Sequence, residues 1–598
     1  MIILDDFQSS IENPSSRIYE NYYLYLEANL IHEIPAVLKK IEEESQKGGY
    51  AVVITSYELS FDLNKLTSKK DRFGPLIQAW IYSEVSKVSK IQVDEYLSKA
   101  ISQLDDQAKQ VGLYNLRKNI SEDRYLKKIN SIKENIQAGV CYQINFTYQI
   151  YGNFVGHPLA LYQDIRRNFP VNYGALICEN NVPVLSFSPE LFISRRGDQI
   201  TALPMKGTAS ALDTTPEALS FDEKNRAENV MIVDLLRNDL GRIAKLGSVE
   251  VEDLFKVSRY GDVLQMTTKV KALLDENIDL NQIINATFPC GSITGAPKRK
   301  SIEIIDQLEH ESRGIYCGSI GWFDPGVDFT FNVAIRTMTL ASNSCIGNFK
   351  FGVGSGITID SVAKDEWNEC ELKTRFLSRS KNMIEIFETL RVENGLAIRL
   401  KEHIDRLLFS AGTLNYRYDK SELMSIVRDT LNSVGRNSLY RLRLSLNAEG
   451  TLKVDINEMS ELPLVNKVFW AEDLIGDYKP INPNSEWVKH KTTNRRIYDL
   501  VWKSAAEKGG FDGLLINQNG YIVEGGRSSI FIKPQNSEVW LTPPLSAGLL
   551  PGIMRASILN DKSQWAVEEK NITKQDVIDA KKIVLTNSLR GVISVALA

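Results

Sequence analysis

The chain has 598 residues, 43% of them hydrophobic and 24% charged, enough for several domains of ordinary globular composition. Its 71 basic and 75 acidic residues leave a net charge of −4, which gives no basic excess for nucleic acid and no polybasic membrane patch. No apolar run approaches the roughly 20 residues of a membrane span, the start Met1-Ile2-Ile3-Leu4-Asp5-Asp6 lacks the basic region of a signal peptide, and six cysteines stand singly with no C-x-x-C pair, so the expectation is a cytoplasmic chain with reduced thiols and no zinc site.

In chain order, Ile34, Val37, Leu38 and Ile41 have helical spacing. Leu126, Ile129, Ile132 and Ile136 predict a second amphipathic helix, stopped at Gly139. Tyr142, Ile144, Phe146, Tyr148 and Ile150 then alternate with mostly polar residues, as in a half-buried strand. Lys206 lies in Pro204-Met205-Lys206-Gly207-Thr208, where a restricted proline and a permissive glycine predict a short turn that presents the amine end-on. Such an amine is a nucleophile if nearby cations depress its pKa, and otherwise an ordinary surface lysine. By themselves Glu366 and Glu369 read as an exposed helix pair, and Lys489-His490-Lys491 as a solvated charged run. Residues 375–384 are neither Gly-rich nor Pro-rich, so only the change of motifs on either side marks a boundary there. Strands over 439–446 and 513–517 alternate with helical segments, and no repeat or low-complexity tract interrupts the chain. The pattern predicts an α+β fold with many antiparallel connections.

Between residues 120 and 375 a set of motifs stands in a fixed order. They include Gly139-Val140-Cys141-Tyr142-Gln143, Ser188-Pro189-Glu190, the Lys206 motif, Ala227-Glu228-Asn229 through Asp239, and Gly291-Ser292-Ile293-Thr294-Gly295. Arg313-Gly314-Ile315-Tyr316, Asn332 through Thr337, Gly352-Val353-Gly354-Ser355-Gly356 and Glu366-Trp367-Asn368-Glu369 follow. Residues 1–375 thereby resemble the chorismate-utilising enzymes, and among them the component I subunits of aminodeoxychorismate synthase. The resemblance implies a chorismate-binding α/β sandwich like that of anthranilate synthase component I, with its core at about 120–375. Lysine at position 206 favours aminodeoxychorismate chemistry, since anthranilate synthases carry alanine there; anthranilate synthase activity is the alternative. The resemblance makes Lys206 the nucleophile and Glu190 the general acid for the departing hydroxyl. It assigns chorismate binding to Gln143, Ser292, Tyr316, Arg336 and the backbone of a flexible loop at Gly352 and Gly354. Glu228 and Glu369 would hold Mg²⁺, with Glu366 as a neighbour. Gln143 stands where water-adding relatives carry a base lysine, which argues against isochorismate or salicylate chemistry. Val140 replaces a usual aspartate that would cap the local turn. No cysteine-histidine glutaminase pattern is present, so ammonia would come from a separate glutamine amidotransferase subunit.

After a short linker at 376–384, residues 385–598 carry Phe387-Glu388-Thr389, His403-Ile404-Asp405-Arg406-Leu407, Lys491-Thr492-Thr493-Asn494-Arg495, Val523-Glu524-Gly525-Gly526, Leu550 through Arg555 and Thr586-Asn587-Ser588-Leu589. These resemble fold-type IV pyridoxal-phosphate enzymes, in particular aminodeoxychorismate lyase, and imply a two-lobed domain. Lys491 would bind pyridoxal 5'-phosphate covalently and shuttle protons, and Glu524 would pair with its ring nitrogen. Arg406, the amides of Ile553 and Met554, and Ser588 with Leu589 would hold its phosphate. Ser529 replaces a usual asparagine, and the first lobe looks shortened. A transaminase, or a degenerate module without catalysis, is the alternative for this half. The two resemblances together imply a bifunctional enzyme that makes 4-aminobenzoate from chorismate, with a homodimer through the carboxy-terminal domain.

Overall fold

The computed structural model describes residues 1–68, 70–72, 74–179, 182–210, 214–260, 263–379, 383–435, 438–459, 466–476 and 478–598. The amino-terminal half is built on two ten-stranded sheets whose strands pair antiparallel among the described residues, packed with helices around large apolar clusters. The expected helices form as Ile34–Gln46, which buries Ile34, Val37, Leu38 and Ile41, and as Glu122–Gln137, which buries Ile129 and Ile132. The second is capped by Ser121, whose side chain accepts from Arg124 N, and is followed by Gly139 at φ +73°.

Three local expectations are corrected. The strand Gln143–Val155 is buried on both faces, because its polar residues Gln143, Asn145, Thr147 and Gln149 are covered by the protein as fully as its apolar ones. Tyr142 lies outside it and is 62% exposed. Lys206 is on the strand Met205–Ser210, whose pairing with Val263–Leu273 slips between Met205 and Thr208. Gly207 has φ +79°, so the lysine is presented by a bulge rather than a turn. The glycines at 352, 354 and 356 belong to the strand Ile346–Ile357 and pair with Gln149, Thr147 and Asn145. Its other neighbour, Thr337–Leu340, reaches only to Phe351, which leaves one strand edge open beside the glycines. Sequence punctuation suggested a loop there; removal of side chains from one strand face is what the structure uses the glycines for.

The helix Ala363–Arg379 runs past the expected domain end at 375, so the expected linker begins inside a helix. Its central residues Ser380, Lys381 and Asn382 lie outside the described residues. The carboxy-terminal half has two lobes. A four-stranded antiparallel sheet around Ile386–Glu393 and Tyr440–Leu446 packs on helices Leu400–Thr413 and Lys420–Asn432. An eight-stranded mixed sheet forms the second lobe, with Lys467–Trp470 parallel to both Asp512–Ile516 and Gly591–Leu597. The small lobe, expected to be short, has a core that is completed from the other half: Tyr114 and Val155 are buried in the same cluster as Leu407, Leu414 and Leu442. Among the described residues no helix is long and apolar enough to cross a membrane.

Candidate active sites

In the amino-terminal half, the bulged strand, the open-edged glycine strand and the helix that holds Glu228 converge on Lys206. Its Nζ is 3.9 Å from Glu228 Oε2. Gln143 Nε2 and Lys206 Nζ lie 2.8 and 2.9 Å from where a Cβ on Gly356 would stand, so the bare glycine makes room for both. Gln143 is fully buried, and neither end of its carboxamide has a partner among the described residues. A buried orphaned amide is costly and points to a ligand that satisfies it. Glu190 is also buried, with Oε1 unpartnered among the described residues. Burial pushes its carboxyl up to about 7, against a hydrogen bond from Ser292, the charge of Lys206 and the Met205 backbone.

Around this centre, the ring of Tyr316 lies flat against Gly352, and a Cβ there would collide with it. Arg336 has φ +50°, a left-handed conformation that a bulky side chain adopts only under constraint, and burial lowers its pKa. Lys373 was missed by sequence reading. Its amine donates to Gly354 O at 2.9 Å and pairs with Glu369 at 2.7 Å, and its charge acts on both Glu190 and Arg336. The spacing of Glu369 and Lys373, one helical turn apart, was the signal available. Of the two helix carboxylates, Glu366 is the buried one at 3%, while the Glu369 side chain is half exposed at 49%. Among the described residues no three His, Cys, Asp or Glu side chains gather around one point. Two protein carboxylates with retained waters and substrate oxygens would be a donor set that suits Mg²⁺.

The carboxy-terminal half has a cavity of about 270 Å³ between its lobes. Lys491, Glu524, Arg406, Ile553, Met554, Ser588 and Leu589 all line it. Far from being a solvated run, the segment at 491 enters the cavity: burial pushes the Lys491 amine down to about 7, with Arg495 and Arg406 acting in the same direction. Glu524 accepts from Leu550 N at 3.0 Å, and burial raises its carboxyl to about 7. The loop after it is pinned by Asp512, which accepts from Gly526 N, Arg527 N and Ser528 Oγ at 2.6–2.9 Å.

Arg406 gives three of its five donors to the protein. Nε and Nη2 bond Glu388 at 2.7 and 2.8 Å, and Nη1 bonds Pro551 O at 2.8 Å. One N–H remains on each terminal nitrogen, the pair that suits an anion end-on. Glu388, which sequence reading passed over within its motif, also bonds His403 Nδ1 at 2.6 Å. Burial pushes the Glu388 carboxyl up, but Arg406 and His403 outweigh it and hold the group down at about 2. His403 Nε2 is buried without a partner among the described residues and belongs to the cavity wall. Gly552 precedes the helix Ile553–Asn560, whose first residues Ile553 and Met554 line the same cavity. The Leu589 N–H is already donated to Asn587 Oδ1 at 3.1 Å, so Leu589 contributes its side chain rather than a free amide. Orphaned His403, the two spare Arg406 donors and a helix start form a cradle that fits a phosphorylated cofactor with an aldehyde at Lys491.

Arg441, Arg443 and Arg495 also line the cavity and were not foreseen. Arg443 and Arg495 lie 4.0 and 5.7 Å from the centre of the Phe387 ring, with Lys491 Nζ at 4.9 Å. Arg441 and Arg443 share one strand face by their two-residue spacing, a signal readable in the sequence.

The chain matches the family described as chorismate binding enzyme over residues 5–379, and that described as amino-transferase class IV over residues 385–598. It is 29% identical over 404 residues to aminodeoxychorismate synthase component 1 of Bacillus subtilis (strain 168), covering 62% of this chain and 83% of that one. It is 39% identical over 268 residues to chloroplastic aminodeoxychorismate synthase of Arabidopsis thaliana, covering 43% of this chain but 28% of that longer protein. The crystal structure of anthranilate synthase component I from Streptococcus pneumoniae TIGR4 superposes with TM-score 0.53 at 23% identity, over 62% of this chain and 94% of that one, a likeness of fold.

Proposed function

Since the chain belongs to the chorismate binding enzymes and carries an amino-transferase class IV region behind them, we propose that it makes 4-aminobenzoate in two steps at two sites. Residues 1–375 convert chorismate and ammonia to 4-amino-4-deoxychorismate. Residues 385–598, joined through 376–384, eliminate pyruvate from that product. The observation that carries the reading is Lys206, an amine that meets beside Gly356 a buried Gln143 without a partner among the described residues, with Glu190 poised near neutrality.

In the first site, Glu190 holds the proton that the departing hydroxyl needs. Lys206 attacks the ring as that hydroxyl leaves, and ammonia then displaces the lysine, so the amine is restored. Gln143 can bind substrate but cannot deprotonate water, which keeps water from adding in ammonia's place. Arg336, Tyr316 and the open strand edge at Gly352 and Gly354 bind the enolpyruvyl carboxylate. Glu228 and Glu369 would hold Mg²⁺, with Glu366 as a neighbour, and the ion when bound would neutralise the ring carboxylate. Ammonia is supplied by a separate glutamine amidotransferase.

In the second site, Lys491 with a pKa near 7 can both hold and release a proton at the substrate ring. Pyridoxal phosphate, when bound, supplies the electron sink for that proton's removal. Glu524 would hold its ring nitrogen, while Arg406, the Ile553 and Met554 amides and Ser588 would hold its phosphate. Arg441 and Arg443 present two cations to a substrate that carries two carboxylates, which favours the elimination over transamination of a monocarboxylate.

The test is a product assay with chorismate, ammonium, Mg²⁺ and pyridoxal phosphate. 4-Aminobenzoate and pyruvate should form, and Lys491→Ala should accumulate 4-amino-4-deoxychorismate. Anthranilate as product would overturn the reading of Lys206. Accumulation of the intermediate by the unmutated chain would leave the second half a transaminase or an inactive module.

A further inference from the structure

Gln107 belongs to the amino-terminal half, on the short helix Asp106–Lys109, yet it lines the carboxy-terminal cavity. The helix is fixed to its own half. Asp105 accepts from Ala108 N at 2.7 Å, and Ala108 O accepts from His157 N at 2.8 Å. From that base Gln107 reaches across with three hydrogen bonds. Its Nε2 donates to Asn494 O at 3.0 Å, its Oε1 accepts from Ser485 Oγ at 3.2 Å, and its backbone oxygen accepts from Asn494 Nδ2 at 2.9 Å.

Ser485 and Asn494 bracket Lys491 in the chain. The same segment is held on its other side by the small lobe: Phe387 N donates to Lys491 O at 2.9 Å, Thr493 N to Glu385 O at 2.8 Å, and Glu385 N to Thr493 Oγ1 at 2.9 Å. Lys491 therefore sits between two clamps, and one of them comes from the other half of the chain. The crossing is broad. Tyr114 OH donates to Leu414 O at 2.6 Å, its ring meets Tyr416 edge-on at 5.4 Å, Asn115 Nδ2 donates to Asn415 O, and Lys479 Nζ donates to Ser102 O at 2.7 Å.

We propose that Gln107 is a positioning residue of the second site, so that the synthase half supplies the clamp that holds the Lys491 segment in its cavity. This rests on Lys491 being the cofactor-binding lysine. Without the Gln107 carboxamide, Asn494 O and Ser485 Oγ lose partners that only water can replace, and the segment between them loosens. Water that enters restores solvation to the Lys491 amine, which then holds its proton more tightly. A carbonyl-bearing ligand needs the amine free, so the loosened site reacts less readily at neutral pH.

The experiment uses the full chain with Gln107→Ala and with Gln107→Met, which keeps bulk but neither bonds Asn494 O nor accepts from Ser485. Apo-protein is labelled with trinitrobenzenesulfonate across pH, and modification at Lys491 is read by peptide mass spectrometry. The unmutated chain should show a midpoint of about 7; both variants should move it up by about one unit. Elimination of pyruvate should fall about tenfold in kcat with KM nearly unchanged, and formation of 4-amino-4-deoxychorismate should stay the same. Unmoved midpoints in both variants, with melting unchanged, would overturn the proposal. If Lys491 of the unmutated chain neither labels near neutral pH nor gives the absorbance band of lysine-bound pyridoxal phosphate, at about 410–430 nm, the second site itself falls and the proposal with it.

Discussion

Replacing Glu190 by glutamine removes one ionisable group from the first site and keeps its shape. Glu190 is 3% exposed, and burial raises its carboxyl from 4.5 to about 7. Between those values the folded chain binds the proton that the unfolded chain has released, so stability falls as pH rises through that window. A difference of about 2.5 units corresponds to about 3 kcal/mol, an order-of-magnitude figure. The unmutated chain carries this penalty in full above pH 7 and is free of it below 4.5. Glutamine never ionises, so the stability of Glu190→Gln relative to the unmutated chain should rise by about 3 kcal/mol between the two ends of the window. Calorimetric melts of both proteins at pH 4 and 8 measure this directly on the transition of the amino-terminal half. The same variant should lose synthase turnover, because an amide has no proton to give the departing hydroxyl. In the unmutated chain, kcat/KM for chorismate should decline above about pH 7. A melting difference that is the same at both pH values, or a variant that keeps turnover, would refute the account of a buried acid.

Gly356→Ala should slow the first reaction sharply and leave elimination of pyruvate intact, since the new Cβ stands within 3 Å of Lys206 Nζ and Gln143 Nε2; separate assays of the two half-reactions check it. Lys491→Met should stabilise the apo-protein most at pH 7 and below, where the folded chain holds a buried cation, with the gain fading as pH rises towards 10.5; denaturant titrations at pH 6 and 10 read the trend. Glu388→Ala strands Arg406 and His403 in the protein and should cost about 3–5 kcal/mol. The contribution of Glu388 is present above pH 4.5 and lost as pH falls through about 2, so acid unfolding of the unmutated chain should steepen across that range. Lys206→Ala should end formation of 4-amino-4-deoxychorismate while the second half still converts that compound when it is supplied, as a coupled pyruvate assay would show.

Much of both sites was legible in the chain because their residues fall in short motifs whose spacing is local. Lys206, Glu190, Gln143, Lys491, Glu524 and Arg406 stand in motifs whose order resembles that of known families, and the two helices over Ile34–Gln46 and Glu122–Gln137 follow from the spacing of their apolar residues. Local sequence misled where the partner was distant. Pro204 and Gly207 mark a turn by their own conformational preferences, but pairing with Val263–Leu273 draws the segment into a bulged strand. The glycines at 352, 354 and 356 read as a loop, yet twelve registered pairs with Gln143–Val155 hold them in a sheet. Lys491 looked solvated beside Lys489, and only the packing of two lobes buries it.

Chemistry was thus determined by the sequence, through which residue types stand at which motif positions. Proton affinities and neighbours were decided by the tertiary structure. Burial sets Glu190, Glu524 and Lys491 near pH 7, and desolvation depends on what folds over a group, not on what adjoins it in the chain. Gln107 carries no sequence signal at all, because its partner Asn494 lies 387 residues away and meets it only when the two halves pack together.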